Sequence, residues 1–338
     1  LVEWQVRVAQ GEPLPPLVES FGHAVEARLY AEDPYTYLPA TGRVLAWRAD
    51  PGVRVESGIE TGDYVTPHYD PMLAKLIAHG PDRATALRRL DRALERTVLL
   101  GLTSNLPLLK HLVALLSRGE EADTAFLERH PLPPAAPADA ATLAAAALAD
   151  WLQDGPDDFW RIHPTGAPPQ VLEDESGKRH TVQLFPPIRG DRKLYRVLLG
   201  ECEHAVEVLE HSPPELRLAV DGLYQAVLVL RSGQDWWLFS RSGPTRVKAL
   251  PRLPEPAPGV AAGGGLRSPM PGAVTAVLVE VGQSVRAGTP LMKLEAMKME
   301  HTITANGDGV VEAVHFTAGD QVEADAELVR LRLEAVGG

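Results

Sequence analysis

The C-terminal part of the chain repeats itself with a period of thirty-seven residues. Gly272 falls on Gly309, Val274 on Val311, Val277 on Val314, Gly282 on Gly319, Val285 on Val322, Ala287 on Ala324, Leu291 on Leu328 and Leu294 on Leu331. Self-similarity at a fixed period means one supersecondary unit used twice. Each copy alternates apolar and polar residues with glycine at its turns, the pattern of strands and hairpins. The copies are therefore expected to face one another as a small all-β sandwich with a pseudo-twofold axis. That axis puts the segment joining them at one end of the module. The segment reads Glu295-Ala296-Met297-Lys298-Met299-Glu300-His301, so Lys298 is expected on a tight solvent-facing turn, an address for covalent modification. An ordinary exposed lysine is the alternative, since lysine is the residue most expected at a surface.

A chain of 338 residues exceeds what one core usually holds and implies two or three domains. The net charge of -12, the pI near 5.4 and the dispersed lysines and arginines oppose nucleic acid or an anionic membrane as partner. The lone Cys202 excludes an internal disulfide framework and a cysteine-based metal cluster, and suits a reducing compartment such as the cytosol. No residue is singled out as a metal ligand. No apolar run reaches the length of a membrane-spanning helix, and the first residues lack the pattern of a secretory leader. Leu1, Trp4, Gln5 and Val8 have helical spacing with no capping residue before them, and Gly11 and Pro13 supply a stop. The chain is expected to begin inside a helix, as a fragment would.

Two shifts in composition divide the sequence. Residues 131–148 are dominated by proline and alanine, part linker and part helix, with Thr142 to Leu152 of high helix propensity. Residues 251–266 run from alternating prolines into Gly263-Gly264-Gly265, a linker by composition. No helix signal follows those glycines, as a phosphate-cradling loop would require. Before the first shift, strands over His23–Tyr30 and Gly42–Trp47 mix with two helices. Asp82 can cap one bearing Ala86, Leu87, Leu90 and Leu94, and Asn105 a second bearing Leu109, Leu112, Val113 and Leu116. Between the shifts, seven short strands are expected within 181–250, with turns at Asp221-Gly222, Ser232-Gly233 and Ser242-Gly243. Their spacing suggests an antiparallel barrel or sandwich.

Residues 268–333 resemble a biotinyl domain, in the motif Ala296-Met297-Lys298-Met299 and in the entry Ser268-Pro269-Met270-Pro271-Gly272. The resemblance implies biotin in amide linkage to Lys298, attached by a biotin protein ligase. Lipoyl domains share the fold and repeat, but methionine on both sides of the lysine favours biotin. Residues 22–34, 38–42, 53–58 and 69–76 resemble the C-terminal lobe of biotin carboxylase, an ATP-grasp enzyme. That resemblance implies a role for Arg28 at the biotin ureido group, where a permanently charged planar donor suits a developing oxyanion. It places Tyr69 and Asp70 along the same pocket. Without the resemblance, Arg28 reads as a strand arginine paired with Glu26 or Glu32, Asp70 as a member of a structural ion pair, and His23 and His68 as polar surface or strand residues.

The expected architecture is multidomain, α+β and all-β: a biotin carboxylase C-terminal part over 1–133, an antiparallel β-barrel-like middle domain over 134–250, a linker over 251–266 and a biotinyl β-sandwich (barrel-sandwich hybrid) over 267–334. This order resembles the α subunits of acyl-CoA carboxylases of the methylcrotonyl-CoA, geranyl-CoA or propionyl-CoA type. The resemblance implies an ATP-dependent ligase using magnesium and bicarbonate, with transfer to an acyl-CoA, 3-methylcrotonyl-CoA or another branched one, on a separate carboxyltransferase β subunit. A propionyl- or acetyl-CoA carboxylase α subunit and a stand-alone biotin carrier are the alternatives. The ATP-binding lobe is expected before Leu1, so this piece alone is expected to be inactive. The middle domain is expected to dock the β subunit through exposed-strand aromatics such as Trp236 and Trp237. The compartment implied is bacterial cytoplasm or, in a eukaryote, the mitochondrial matrix.

Overall fold

The computed structural model describes residues 2–14, 16, 19–154, 167–185, 194–251, 265–297 and 299–333. Helix α1 (Val2–Ala9) opens the chain, and none of its residues is buried. The first lobe then runs β1 (His23–Tyr30), β2 (Gly42–Arg43), β3 (Ala46–Arg48), β4 (Arg54–Ser57), β5 (Tyr64–Val65), β6 (Met72–Gly80), α2 (Arg83–Arg96), β7 (Val98–Leu100), α3 (Leu106–Ser117) and α4 (Phe126–Arg129). Strands β1, β6 and β4 form an antiparallel sheet with β6 in the centre. Period-two alternation decides its faces: Ala27, Leu29, Leu76 and Ala78 join α2 and α3 in one core, while Glu26, Arg28, Arg54 and Glu56 stay on the open face. Asp82 caps α2 through its carboxylate and the Thr85 N–H at 2.7 Å. Asn105 precedes α3 but makes no side-chain cap bond, contrary to the sequence expectation.

Beyond the lobe come α5 (Ala140–Asp154), β8 (Gln170–Asp174), β9 (Arg179–Phe185), β10 (Leu194–Leu199), β11 (Cys202–Ser212), β12 (Glu215–Val220), β13 (Leu223–Ser232), β14 (Asp235–Ser240) and β15 (Gly243–Leu250). The eight strands close into an antiparallel barrel in which β8 joins β15 to β9. Seven of these strands, β9 to β15, match the sequence expectation, and β8 is an eighth. Every residue of α5 from Ala141 to Ala149 is buried, on all faces of the helix, against barrel residues including Leu172, Val197, Leu216 and Leu238. An eight-stranded barrel has an interior of roughly side-chain width. Alanines thin the helix enough to be enclosed there, which explains the alanine run.

The barrel corrects the expectation for the two tryptophans. Trp236 points inward and is 2% exposed, packed in the same core as α5. Trp237 points outward but is covered by the lobe, where it packs with Val98 and Leu100 of β7. Neither is an exposed aromatic available to a separate subunit: alternation along β14 gives one to the barrel core and the other to the lobe–barrel seam.

Asp174 ties the approach of α5 to the β8–β9 hairpin. Its carboxylate accepts the N–H groups of Ala138, Ser176 and Lys178 and the hydroxyl of Ser176, and meets Nε2 of His180 at 2.7 Å. Burial opposes the charge, but these bonds more than offset it and hold the carboxyl well below the usual carboxylate range. Asp174→Asn should therefore cost about 1–3 kcal/mol at neutral pH. The folded-state carboxyl is the more acidic, so the wild-type advantage is complete above pH ~4 and shrinks as pH falls below it. Urea titrations of both proteins at pH 7 and pH 3 check this, and an advantage of equal size at both would contradict it.

The C-terminal module contains β16 (Gly265–Arg267), β17 (Gly272–Val277), β18 (Ser284–Val285), β19 (Pro290–Ala296), β20 (Met299–Thr304), β21 (Gly309–Val314), β22 (Gln321–Val322) and β23 (Glu327–Leu333). Two four-stranded sheets, β16-β23-β21-β18 and β20-β19-β17-β22, enclose Leu291, Leu294, Leu328 and Leu331. The repeat is visible in the hydrogen bonds: the Gly282 N–H donates to the Val311 carbonyl and the Gly319 N–H to the Val274 carbonyl, each at 2.8 Å. Gly282 and Gly319 both have positive φ, 91° and 98°, which glycine adopts without a Cβ penalty. The copies also exchange strands, β18 pairing with β21 and β22 with β17. Neither copy can then complete a sheet alone.

Candidate functional site

Arg28 stands on the open face of the lobe's sheet because its neighbours Ala27 and Leu29 occupy the core face. In register across the strands it lies beside Lys75 and then Glu56, and the next row is Glu26, Ile77 and Arg54. Its Nε donates to Oε1 of Glu26 at 2.7 Å, yet 57% of the side chain remains exposed. The pair lowers the Glu26 carboxyl through that hydrogen bond and strengthens the hold of Arg28 on its proton. Arg54 pairs with Glu56, and Lys75 approaches the same carboxylate at 4.0 Å. The face is thus a set of alternating charges with a guanidinium still open to a ligand. Of the two partners weighed for Arg28, the structure supplies Glu26.

The backbone beneath Arg28 is fixed by Asn105, the residue expected to cap α3. Asn105 is buried, and its amide donates to the Arg28 carbonyl at 3.1 Å while its oxygen accepts the Tyr30 N–H at 2.9 Å. Its own N–H donates to the Tyr30 carbonyl. One asparagine therefore takes the place of a neighbouring strand along the free edge of β1. Asparagine before an apolar helix is also the common capping pattern, so nothing local in the sequence distinguished the two roles.

Tyr69 and Asp70 lie in the loop leading into β6, at the end of the sheet where β1 leaves it. Tyr69 is 77% exposed. Asp70 accepts the Met72 N–H at 3.0 Å, and among the described residues no cation pairs with it, so the expected ion pair is replaced by a backbone cap. Glu32 sits close by, and its carboxyl is raised by burial and by the charge of Asp70. His68 is exposed and His23 partly so. Among the described residues no group of three or more His, Cys, Asp or Glu is placed to hold a metal ion. A cleft of about 530 Å³ between the lobe and the barrel is lined by Tyr35, Trp237 and Arg246 and contains none of the expected site residues.

In the C-terminal module, β19 and β20 form a hairpin whose last pair is Ala296 with Met299. Lys298 lies outside the described residues. Met297 has φ of 47°, a left-handed conformation that costs a non-glycine residue roughly 1–2 kcal/mol. Strain of this kind gathers where function fixes the backbone. Ala296 and Met297 are buried and Met299 is 39% exposed. At Met297 the hairpin meets the lobe: the Met297 N–H donates to the Pro67 carbonyl at 3.1 Å. Leu38 of the lobe also packs on the module's core. The structure thereby brings Met297 to the loop that carries Tyr69 and Asp70. Leu38 and Pro67 were not found from sequence, since neither residue type signals a contact across some 230 positions.

Two stretches of the chain match known families. Residues 26–129 match the biotin carboxylase C-terminal domain family, and residues 265–331 match the family described as biotin-requiring enzyme. The mitochondrial methylcrotonoyl-CoA carboxylase subunit alpha of Dictyostelium discoideum is 32% identical over 96% of this chain and 51% of its own length. The mitochondrial propionyl-CoA carboxylase alpha chain of Rattus norvegicus is 32% identical over 98% of this chain and 49% of its own. The chain spans about half the length of the curated relatives it matches. Among solved structures, the biotin carboxylase domain of Hydrogenobacter thermophilus 2-oxoglutarate carboxylase, in complex with MgADP, ADP and bicarbonate, is 33% identical. That likeness covers 38% of this chain and 30% of that one, with a TM-score of 0.37.

Proposed function

We propose that this chain, which joins a biotin carboxylase C-terminal domain to a biotinyl domain and is homologous to acyl-CoA carboxylase α subunits, is the acceptor-and-carrier part of such a subunit. The observation that carries the reading is the placement of the carrier's hairpin against the Pro67–Asp70 loop of the lobe that bears Arg28. Biotin bound at Lys298 would supply a ureido ring able to take up a carboxyl group in one site and release it in another. The chain's own residues bind and orient. Arg28 holds a positive, planar donor toward the ureido oxygen, where negative charge must be stabilised as the ring becomes nucleophilic. Glu26 and Asn105 fix the side chain and backbone of that donor. Met297 and Ala296 hold the hairpin in its strained turn.

In the whole subunit, ATP, magnesium and bicarbonate would be used by a lobe preceding this chain. A carboxyltransferase β subunit would receive the carboxyl group for an acyl-CoA. Among acyl-CoAs we favour 3-methylcrotonyl-CoA or a similar branched thioester, from the short middle domain. The relatives named for methylcrotonoyl-CoA and for propionyl-CoA are equally similar, so identity alone does not choose between them. The pairing of α with β, attachment by a biotin protein ligase and a cytoplasmic or mitochondrial-matrix location belong to the same proposal. Among the described residues no helix is long and apolar enough to cross a membrane.

Arg28→Ala in the full-length subunit tests the reading. It should lower ATP-dependent carboxylation of free biotin by about 10²-fold, the scale for loss of one oxyanion donor, while biotinylation of Lys298 proceeds at the wild-type rate. Equal loss of both would show a folding defect and contradict the assigned role.

A further inference from the structure

The contact between carrier and lobe has features that a chance apposition of two modules would lack. Met297 is 4% exposed, yet it is not part of the carrier's own core cluster. Its N–H, in the turn beyond the last strand pair, finds its acceptor on the lobe at Pro67. The second point of contact is built in advance. Leu38 ends a turn in which the carboxylate of Asp33 accepts the N–H groups of Tyr35 and Thr36, and the Asp33 N–H donates to the Leu38 carbonyl at 2.8 Å. A bridge between Glu32 and Pro39 closes that turn. The lobe therefore offers one fixed apolar side chain and one carbonyl, and the carrier offers an apolar core edge and one N–H.

Resting on the function proposed above, we propose that Leu38 and the Pro67 carbonyl form a seat on the carboxylase lobe for the carrier's hairpin. Met297 is the positioning residue that docks in it. The seat holds the modified hairpin at the Tyr69–Asp70 end of the sheet that bears Arg28. Its chemistry suits a carrier that must leave again. A single main-chain hydrogen bond and a small apolar contact bind weakly and are little affected by salt, unlike an ion pair. Met297 then has a role separate from framing the lysine for its ligase.

Amide hydrogen exchange on the intact chain, resolved by residue, tests the seat. In the wild type the Met297 amide should be protected. Leu38→Asp, which sets a charge against the carrier's apolar edge, should speed exchange at Met297 tenfold or more. The amides of Leu291 to Leu294, inside the carrier's sheet, should keep their wild-type rates. Equal exchange at Met297 in both proteins would overturn the proposal. So would acceleration that spreads through Leu291 to Leu294, because Leu38 would then support the carrier's fold rather than its docking. Exchange needs no biotin, so an unmodified Lys298 would defeat the proposed function while leaving this result to stand or fall alone.

Discussion

On the function proposed above, Lys298→Arg should leave the chain folded and reduce acyl-CoA carboxylation by the full-length subunit, assembled with its carboxyltransferase β subunit, to background. The substitution keeps a long cationic side chain, so electrostatics and solubility change little. It removes the one group that an amide linkage needs, an amine that can lose its proton, because guanidinium stays protonated throughout the accessible pH range. The described residues of the hairpin are held by other contacts: Ala296 and Met297 are buried, and β19 and β20 pair along their length. The variant should therefore melt like wild type and show no biotinyl increment in its mass. Residual acyl-CoA carboxylation would mean that the carboxyl group travels by another route.

Trp236→Ala should be the most damaging single substitution in the barrel, costing about 3–5 kcal/mol. Its ring is enclosed with α5, among residues that cannot collapse far because the strands form a closed ring. Arg231 also lies over the ring, 5.1 Å from its centre. Trp237→Ala makes a useful contrast. Its side chain is on the outer face, against Val98 and Leu100, so the loss falls on the seam between barrel and lobe. Denaturant unfolding followed by near-ultraviolet circular dichroism distinguishes the two. Trp236→Ala should lower the midpoint of the barrel itself, whereas Trp237→Ala should separate the transition of the lobe from that of the barrel. If Trp236→Ala unfolds at the wild-type midpoint, the enclosed-helix barrel is not the middle domain's architecture.

The repeat was the most legible part of the chain, because a period of thirty-seven residues survives as matched glycines and leucines whatever the details of pairing. The exchange of β18 and β22 between the two sheets was not legible, since two-residue strands carry no periodicity. The barrel was half legible. Alternation and turn dipeptides marked seven strands, but Gln170–Asp174 carries two acidic residues in five, and its Asp174 is buried only because five hydrogen bonds satisfy it. The alanine run announced a helix without saying where it lies, because alanine suits an exposed helix and an enclosed one equally. Trp236 and Trp237 show the same limit: adjacent strand residues face opposite ways, and only the closed barrel and the lobe beside it say what each side meets. Arg28, Tyr69 and Asp70 were candidates only through resemblance, while Asn105 and Leu38 act through contacts with residues far away in sequence. No local pattern encodes such contacts.

The measurement closest to the central claim is the intact mass of the unmutated chain, expressed with an active biotin ligase and mapped by peptides across residues 290–304. One biotinyl group on Lys298, and on no other lysine, is the result this account predicts. A lipoyl group there, or an unmodified Lys298 in the presence of abundant ligase, would contradict it.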